Sequence, residues 1–315
     1  MKRHELWRAQ YRARRYMAHL SETELRQRTK DIIVNMLFLT EENKIGIHSG
    51  VPEGTRWLIL WTHALEEFHF RYGGYPAGFE DGLMDDVQIP RPDSSLAERA
   101  ARTVTKIKSL LPRPGSFIVK YGKREHMRRM HDEGLVRVSP ASCYNDASLN
   151  PAIRDRELEI YIQPPPGEMV IKTKDPKTGV PKQIHPIGNL ITVKSRIDYY
   201  VYCLSTIVVP RLFVDFCADS CIIIREPQRF LKELFEAMTL SFPELNASAG
   251  PVEYVDPIHT KIRDVNIFGQ KHFRYSYQKE FRAVWLPRDA EPKLSPVILK
   301  LVEIKRYSSL IEIGD

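Results

Sequence analysis

The sequence predicts an α+β protein: a helical N-terminal region over residues 1–112, then a mainly β-stranded region over 116–315. Three observations carry this. Apolar residues recur at helical spacing before position 112, and the cluster Pro112-Arg113-Pro114-Gly115 interrupts the chain. After it, short apolar runs alternate with polar residues and end at turn formers, the texture of strands.

The totals fix the class. A chain of 315 residues, 43% hydrophobic and 28% charged, can bury a large core, and nothing in it resembles a disordered composition. No apolar run approaches the roughly 18 residues that span a bilayer, so no membrane association is expected. Met1-Lys2-Arg3-His4 leads into no apolar signal core, and the expected location is the cytoplasm. The cysteines Cys143, Cys203, Cys217 and Cys221 have no C-x-x-C spacing and read as reduced, mostly buried thiols. Cys217 and Cys221 share a helix face if that stretch is helical, but with no second ligand pair nearby no metal site is expected. A net charge of +7 favours an anionic partner: nucleic acid, an acidic protein or a phosphate-bearing cofactor.

In the helical region, Lys2, Arg3, Arg8, Arg12, Arg14 and Arg15 interleave with Trp7, Tyr11 and Tyr16. This is either an arm for phosphate contact and base stacking or a solvated helix with its aromatics tucked beneath. Ser21-Glu22-Thr23-Glu24 is a capping box for a helix through Ile32, Ile33, Met36 and Leu37. A buried helix follows over 57–70, stopped at Tyr72-Gly73-Gly74; its His63 and Glu67, four apart, read as structural, with half a metal site as the alternative. Residues 79–95 are acidic and turn-rich, and a further helix spans 95–111.

Beyond the Pro/Gly cluster, strands are predicted at 116–122, 135–138, 160–163, 168–174, 189–193, 199–205, 220–224, 251–255, 296–303 and 308–313. A short helix over 124–132 ends at Gly134, and Pro227 opens another with Phe230, Leu231, Leu234, Phe235 and Met238 as its apolar stripe. The turn Asp175–Gly179 suggests a hairpin carrying Lys172, Lys174, Lys177 and Lys182, which either guides an anionic substrate or solubilises a loop. The stretch 274–287 alternates strictly. As a strand it sets Phe273, Tyr275, Tyr277, Phe281 and Trp285 on a core face, and Gln278, Glu280 and Arg282 about 7 Å apart on the other. That polar face is either wet or a site.

Gln278-x-Glu280, running into Val284-Trp285-Leu286-Pro287-Arg288, resembles the Q/E-x-E strand of the ADP-ribosyltransferases; a similar aromatic-Q/E-x-E-aromatic-Arg strand closes a widespread bacterial family. Two further stretches match in order. In the transferases the first catalytic strand ends in His or Arg followed by Gly, which holds the adenosine ribose or a phosphate. Here Tyr121-Gly122 stands in that place with Lys120 beside it, so the contact falls to the Tyr121 hydroxyl, to Lys120 or to backbone. Members of the arginine-serine-glutamate type carry a strand-end Ser that braces the catalytic Glu, and Ser205 fits it.

The resemblance covers residues 116–315 and implies a split, mainly antiparallel sheet with NAD as substrate. Glu280 would stabilise the positive charge that builds on the ribose as nicotinamide leaves. Gln278 would face the acceptor, Ser205 would hold Glu280 in register, and Phe213 or Phe216 would stack on nicotinamide, each being also an ordinary core residue. Residues 258–272 take the place of the acceptor-recognising turn. The acceptor would be a nucleic acid base (RNA or DNA) or a protein side chain. The setting would be a toxin or phage-defence effector, with the helical region binding a regulatory or antitoxin partner. No G-x-x-x-x-G-K-[ST] or G-x-G-x-x-G is present. Three alternatives remain: an NAD glycohydrolase, a non-catalytic nucleic-acid-binding protein, and a metal-dependent nuclease using carboxylates such as Asp155 and Glu157.

Overall fold

Ser21 caps the second helix as its sequence requires: its hydroxyl accepts from the Glu24 amide while the Glu24 carboxylate accepts from the Ser21 amide. The structure, a computed structural model, describes residues 2–48, 52–76, 95–111, 113, 115–167, 171–175, 178–184, 190–288 and 293–314. The acidic stretch up to residue 94, Pro112, Pro114, residues 168–170, Pro176, Lys177 and Asn189 lie outside them. The first part contains α1 (Arg3–Arg14), α2 (Glu22–Met36), the hairpin β1 (Leu37–Leu39) and β2 (Ile45–Ile47), α3 (Pro52–Tyr72) and α4 (Ser95–Ile107).

The second part begins with β3 (Ile118–Gly122), α5 (Arg124–Glu133) and β4 (Leu135–Pro140); Gly134, at φ 70°, closes α5 in the left-handed conformation that a Cβ disfavours. Two small antiparallel pairs follow, β5 (Glu159–Ile162) with β8 (Ile191–Lys194) and, between them in sequence, the hairpin β6 (Ile171–Lys174) and β7 (Pro181–Ile184). Then come β9 (Tyr200–Ser205), α6 (Pro210–Asp215), β10 (Ser220–Ile224), α7 (Pro227–Ser241), β11 (Asn246–Pro251), β12 (Glu253–Val255), β13 (Gln270–His272) and β14 (Glu280–Leu286). The chain ends with β15 (Val297–Lys300), α8 (Ile304–Tyr307) and β16 (Ser308–Glu312). The architecture is therefore α+β with mainly antiparallel pairing; β12 and β13 alone among the described strands run parallel.

The main sheet runs β11-β14-β9-β3-β10-β16; counted by appearance within that path, the order is 4-5-2-1-3-6. Its centre is open. β3 and β9 pair only at Val119 and Ser205, while the other end of β9 pairs with β4 through Ser139–Val201 and Pro140–Tyr200. β9 thus changes partner midway and leaves a gap beside Lys120, Tyr121, Cys203 and Leu204. A bare carbonyl in such a gap is costly. Lys120 meets that cost, its ammonium donating to the Cys203 carbonyl at 2.7 Å while lying 4.3 Å over the Tyr202 ring.

One face of the sheet packs Tyr202, Ile222, Trp285 and Val138 against Met127 and Met130 of α5 and Phe230, Leu234 and Met238 of α7. The other packs Val119, Tyr121, Cys221 and Ile223 against Ala100 and Val104 of α4 and Leu212 and Phe213 of α6. The helical region is bound to the sheet region at more points. Arg28 of α2 makes a buried bidentate pair with Asp256, and Arg211 of α6 donates to the carbonyls of Val34 and Leu37. Tyr11, Ile32 and Trp57 share a core with Ile258 and Phe273. Among the described residues no helix is long and apolar enough to cross a membrane.

Three expectations are corrected. Residues Phe273–Gln278 form a 3₁₀ helix, Lys279 takes φ 47°, and the strand begins only at Glu280, so Phe273, Tyr275, Tyr277 and Gln278 are not on it. Tertiary bonds override the alternation: Asn35 of α2 donates to the carbonyls of Phe273 and Arg274 and accepts from Ser276 Oγ and the Tyr277 amide. The cysteines are free but not mostly buried, because Cys143 and Cys217 are exposed. Cys217 and Cys221 share no helix, since Cys217 is in a turn and Cys221 in β10.

The clamp on this segment also carries a titration. Burial lifts the Asp31 carboxyl to about 6 against the pull of Arg274 and a hydrogen bond from Gln27. A carboxyl whose folded pKa is raised favours folding while protonated, and that benefit fades as pH rises from about 4 through about 6. Asp31→Asn is therefore expected to raise unfolding free energy at pH 7 by on the order of 2 kcal/mol, and the gain to vanish near pH 4, as read by urea titrations at both pH values.

Candidate functional site

Glu280 is placed by the turn before it. Ser205 Oγ donates to the Gln278 carbonyl at 2.7 Å, and the Thr206 amide donates to the Lys279 carbonyl at 2.9 Å. The Glu280 amide donates to Tyr254 Oη at 2.7 Å. Ser205 thus acts on the backbone entering β14 and does not touch the carboxylate. Across the pair, Glu280 faces Ser205 and Arg282 faces Cys203.

Glu280 and Arg282 do not form a wet face: they are 5% and 2% exposed. Arg282 donates to Glu280 Oε1 through Nε at 3.0 Å and Nη2 at 2.8 Å, and to Glu157 Oε2 through Nη1 at 3.0 Å. Lys271 Nζ lies 3.1 Å from Glu280 Oε2, 3.4 Å from Glu157 Oε1 and 3.3 Å from Asp155 Oδ2. Three carboxylates thus face two cations, leaving one negative charge when all are ionised.

Burial alone would raise the Glu280 pKa, but Arg282 and then Lys271 outweigh it and hold it down at about 2. Asp155 goes the other way: burial lifts it to about 6, with Lys271 opposing and Glu157 reinforcing. Lys271 is likewise depressed by burial but carried well above the usual lysine range by Glu280, Glu157 and Asp155. Burial lowers Lys120 and raises the Cys203 thiol, leaving that thiol neutral.

The gap between β3 and β9 opens into a cavity of about 390 Å³ whose wall includes Lys120, Tyr121, Gly122, Ser205, Gln278 and Glu280. Phe216 also lines it. Phe213 does not: it is fully buried beneath Tyr121, ring centroids 4.8 Å apart and edge-on. A second chamber of about 790 Å³ continues past Lys120, Tyr121 and Gly122 toward His126 and Arg129 of α5 and Arg137 of β4. On the far side of Glu157 and Lys271 lies a cleft of about 640 Å³ containing Asp155, Tyr161, His272 and Tyr275.

Seven of the eight residues expected from the sequence therefore meet at one cavity, Phe213 being the exception. Their roles differ in part from expectation. The Tyr121 hydroxyl donates to the Ile207 carbonyl and accepts from the Val209 amide, so it fastens that loop, and the cations lining the cavity are Lys120, Lys123 and Lys271. The Gln278 amide donates to the Ala152 carbonyl at 2.8 Å and to Tyr277 Oη at 3.3 Å. Glu157, Lys271, Cys203 and Tyr144 also line it and belong to no sequence motif; Lys271 and Glu157 are 114 positions apart yet touch.

Glu157, Cys203 and Glu280 bring potential ligand atoms within 4.8 Å of one another. Arg282 and Lys271 already bind both carboxylates of that group, so its charge is met without an ion. The basic arm is also engaged. Arg8 and Arg12 pair with Glu66, Arg15 pairs with Glu67, and Tyr11 and Tyr16 are buried, with Tyr16 Oη 3.1 Å from His63 Nδ1. The stretch is a packed helix with its aromatics beneath it, and His63 and Glu67 serve that packing. Compared with known protein families, curated proteins and solved structures, the chain finds no match.

Proposed function

We propose that this protein is an NAD-dependent ADP-ribosyltransferase of the toxin-like or phage-defence kind, transferring ADP-ribose to a macromolecule. One observation carries the reading. Lys120-Tyr121-Gly122, Ser205 and Gln278-x-Glu280, far apart in sequence, line a single cavity formed where the central strands part.

The charge pattern of that cavity suits the substrate. NAD supplies a cationic nicotinamide joined through ribose to an anionic pyrophosphate. Lys120 on one lip, with Arg129 and Arg137 in the adjoining chamber, offers positive charge for the phosphates. Glu280, held ionised by Arg282 and Lys271, offers a carboxylate at the other end. Arg282 and Lys271 keep Glu280 ionised, and they take both lone pairs of Oε1 but only one of Oε2, so a ribose hydroxyl can donate to the remaining one. A fixed anion in a water-poor pocket lowers the barrier to a developing sugar cation by a few kcal/mol. Ser205 and Tyr254 fix the backbone that aims it. The clamp of Asn35 on Phe273–Tyr277 connects α2 to the same loop, which supports a regulatory role for the helical region.

The test is transfer of radiolabel from adenylate-labelled NAD in whole-cell lysate, wild type against Glu280→Gln, followed by nuclease or protease digestion. Label on a macromolecule with wild type alone is the expected result. Free ADP-ribose without labelled macromolecule means a glycohydrolase. No nicotinamide release by the wild-type protein overturns NAD chemistry altogether.

A further inference from the structure

The turn that sets Glu280 has a smaller pocket beside it. Its volume is about 200 Å³, and Asn35, Ser276, Tyr277 and Lys279 contribute to its wall. Apolar lining comes from Leu37, Phe38 and Leu39 of β1, Trp57 of α3, and Ile207 and Val209. An apolar cavity of about 150 Å³ already accepts a benzene-sized molecule, so this one has room for a ring with a short substituent. Two aromatic groups suit it to a flat guest: Phe38, stacked on His48 with centroids 4.4 Å apart, and Trp57, 3% exposed. Its polarity is one-sided. Among the described residues no carboxylate lines it, whereas Arg211, Lys279 and His48 do. Arg211 is neutralised by Asp215 at 3.0 Å and donates to the Val34 and Leu37 carbonyls, so the net charge of the lining is that of Lys279.

We propose that this pocket binds a single-ring aromatic carboxylate, with the ring against Trp57 and Phe38 and the carboxylate on Lys279, and that its occupancy regulates Glu280. Binding follows from the pocket alone; regulation of turnover rests on the reading that the larger cavity cleaves NAD, which it deepens. Two routes connect the pocket to that cavity. Lys279 directly precedes Glu280, and its carbonyl accepts from the Thr206 amide at 2.9 Å and the Thr206 hydroxyl at 3.2 Å. Ile207 and Val209 bond to cavity residues: the Ile207 amide donates to Ser205 Oγ at 3.3 Å, and Tyr121 Oη holds the Ile207 carbonyl and the Val209 amide. A ligand that fills the pocket restrains both segments. Lys279 stands at φ 47°, a conformation disfavoured for a residue with a Cβ, so anchoring its side chain steadies the turn where it is least secure. Preorganising Glu280 in this way raises kcat and leaves affinity for NAD alone.

The test uses the full chain with phenylacetate and its neutral counterpart phenylacetamide. Calorimetric titration reads affinity, deuterium uptake reads position, and nicotinamide release from NAD reads turnover. Phenylacetate is expected to bind saturably with Kd below about 1 mM, and phenylacetamide at least tenfold more weakly. Phenylacetate should slow uptake in β1 and at residues 207–209 and 276–280 without changing β16, and raise kcat for nicotinamide release at least threefold with KM for NAD unchanged. Lys279→Asn, which tolerates the left-handed backbone, should weaken phenylacetate at least fivefold and phenylacetamide less than twofold, with thermal melts confirming that the variant is folded. No saturable binding of phenylacetate, equal affinity for the amide, or protection of 276–280 without β1, which puts the ligand in the larger cavity, overturns the site. Binding and protection with unaltered release overturn the regulation and leave NAD cleavage standing. If wild type releases no nicotinamide with or without phenylacetate, the NAD reading falls and the regulation with it, while titration and uptake still decide the site.

Discussion

Glu280→Gln is expected to slow nicotinamide release by on the order of a hundredfold to a thousandfold at saturating NAD, with a smaller change in KM. The size follows from removing one preorganised charge from a desolvated site, and the effect falls on kcat because the charge it opposes exists only as the bond breaks. The substitution should leave the fold standing. Arg282 keeps Glu157, and Lys271 keeps Glu157 and Asp155, so neither cation is stranded. Stopped-time assays of released nicotinamide, beside thermal melts of both proteins, separate lost chemistry from lost structure. Turnover within threefold of wild type would remove Glu280 from the chemistry.

Arg28→Ala is expected to cost 3–5 kcal/mol, a large part of the stability of an ordinary domain, at about the magnitude known for breaking a buried pair. Its guanidinium donates to both Asp256 oxygens, at 2.8 and 2.7 Å, and packs on Phe273 at 5.3 Å. Without it, a carboxylate 5% exposed is left without its cation. Burial would raise the Asp256 pKa, but Arg28 overrides this and brings it to about 2, below the ordinary 3.8. A depressed carboxyl stabilises above its unfolded pKa, so the pair should hold from neutral pH to about 4 and fail as pH falls through about 2. Because it ties α2 to the segment after β12, urea unfolding of Arg28→Ala should remain one transition with a lower midpoint. Two separated transitions, or a loss below 1 kcal/mol, would contradict the shared core.

Much of the architecture was legible because local signals agreed with tertiary ones. Gly122, Gly134 and Pro227 punctuate β3, α5 and α7 where turn chemistry says they should, and Tyr200–Ser205 has the apolar density of a strand buried on both faces. The stretch before Glu280 misled for the opposite reason. Aromatic residues at every second position imitate a strand, but Asn35, more than 230 positions earlier, supplies hydrogen bonds that a 3₁₀ turn can use. A lysine at φ 47° leaves no trace in sequence, since glycine or asparagine is the usual marker. Of the site, the residues at strand ends were visible and the charge network was not. Asp155, Glu157 and Lys271 come from loops and a three-residue strand, where no periodicity marks which way a side chain turns.

The change of partner by β9 bears on how ligands can be found. The hollow is an interruption of the sheet itself, so its two margins, residues 119–123 and 203–205, trade sheet neighbours for whatever enters. A molecule that fills it should slow deuterium uptake along both margins and leave β10 and β16 unaltered, which permits screening of uncoloured compounds without any knowledge of turnover.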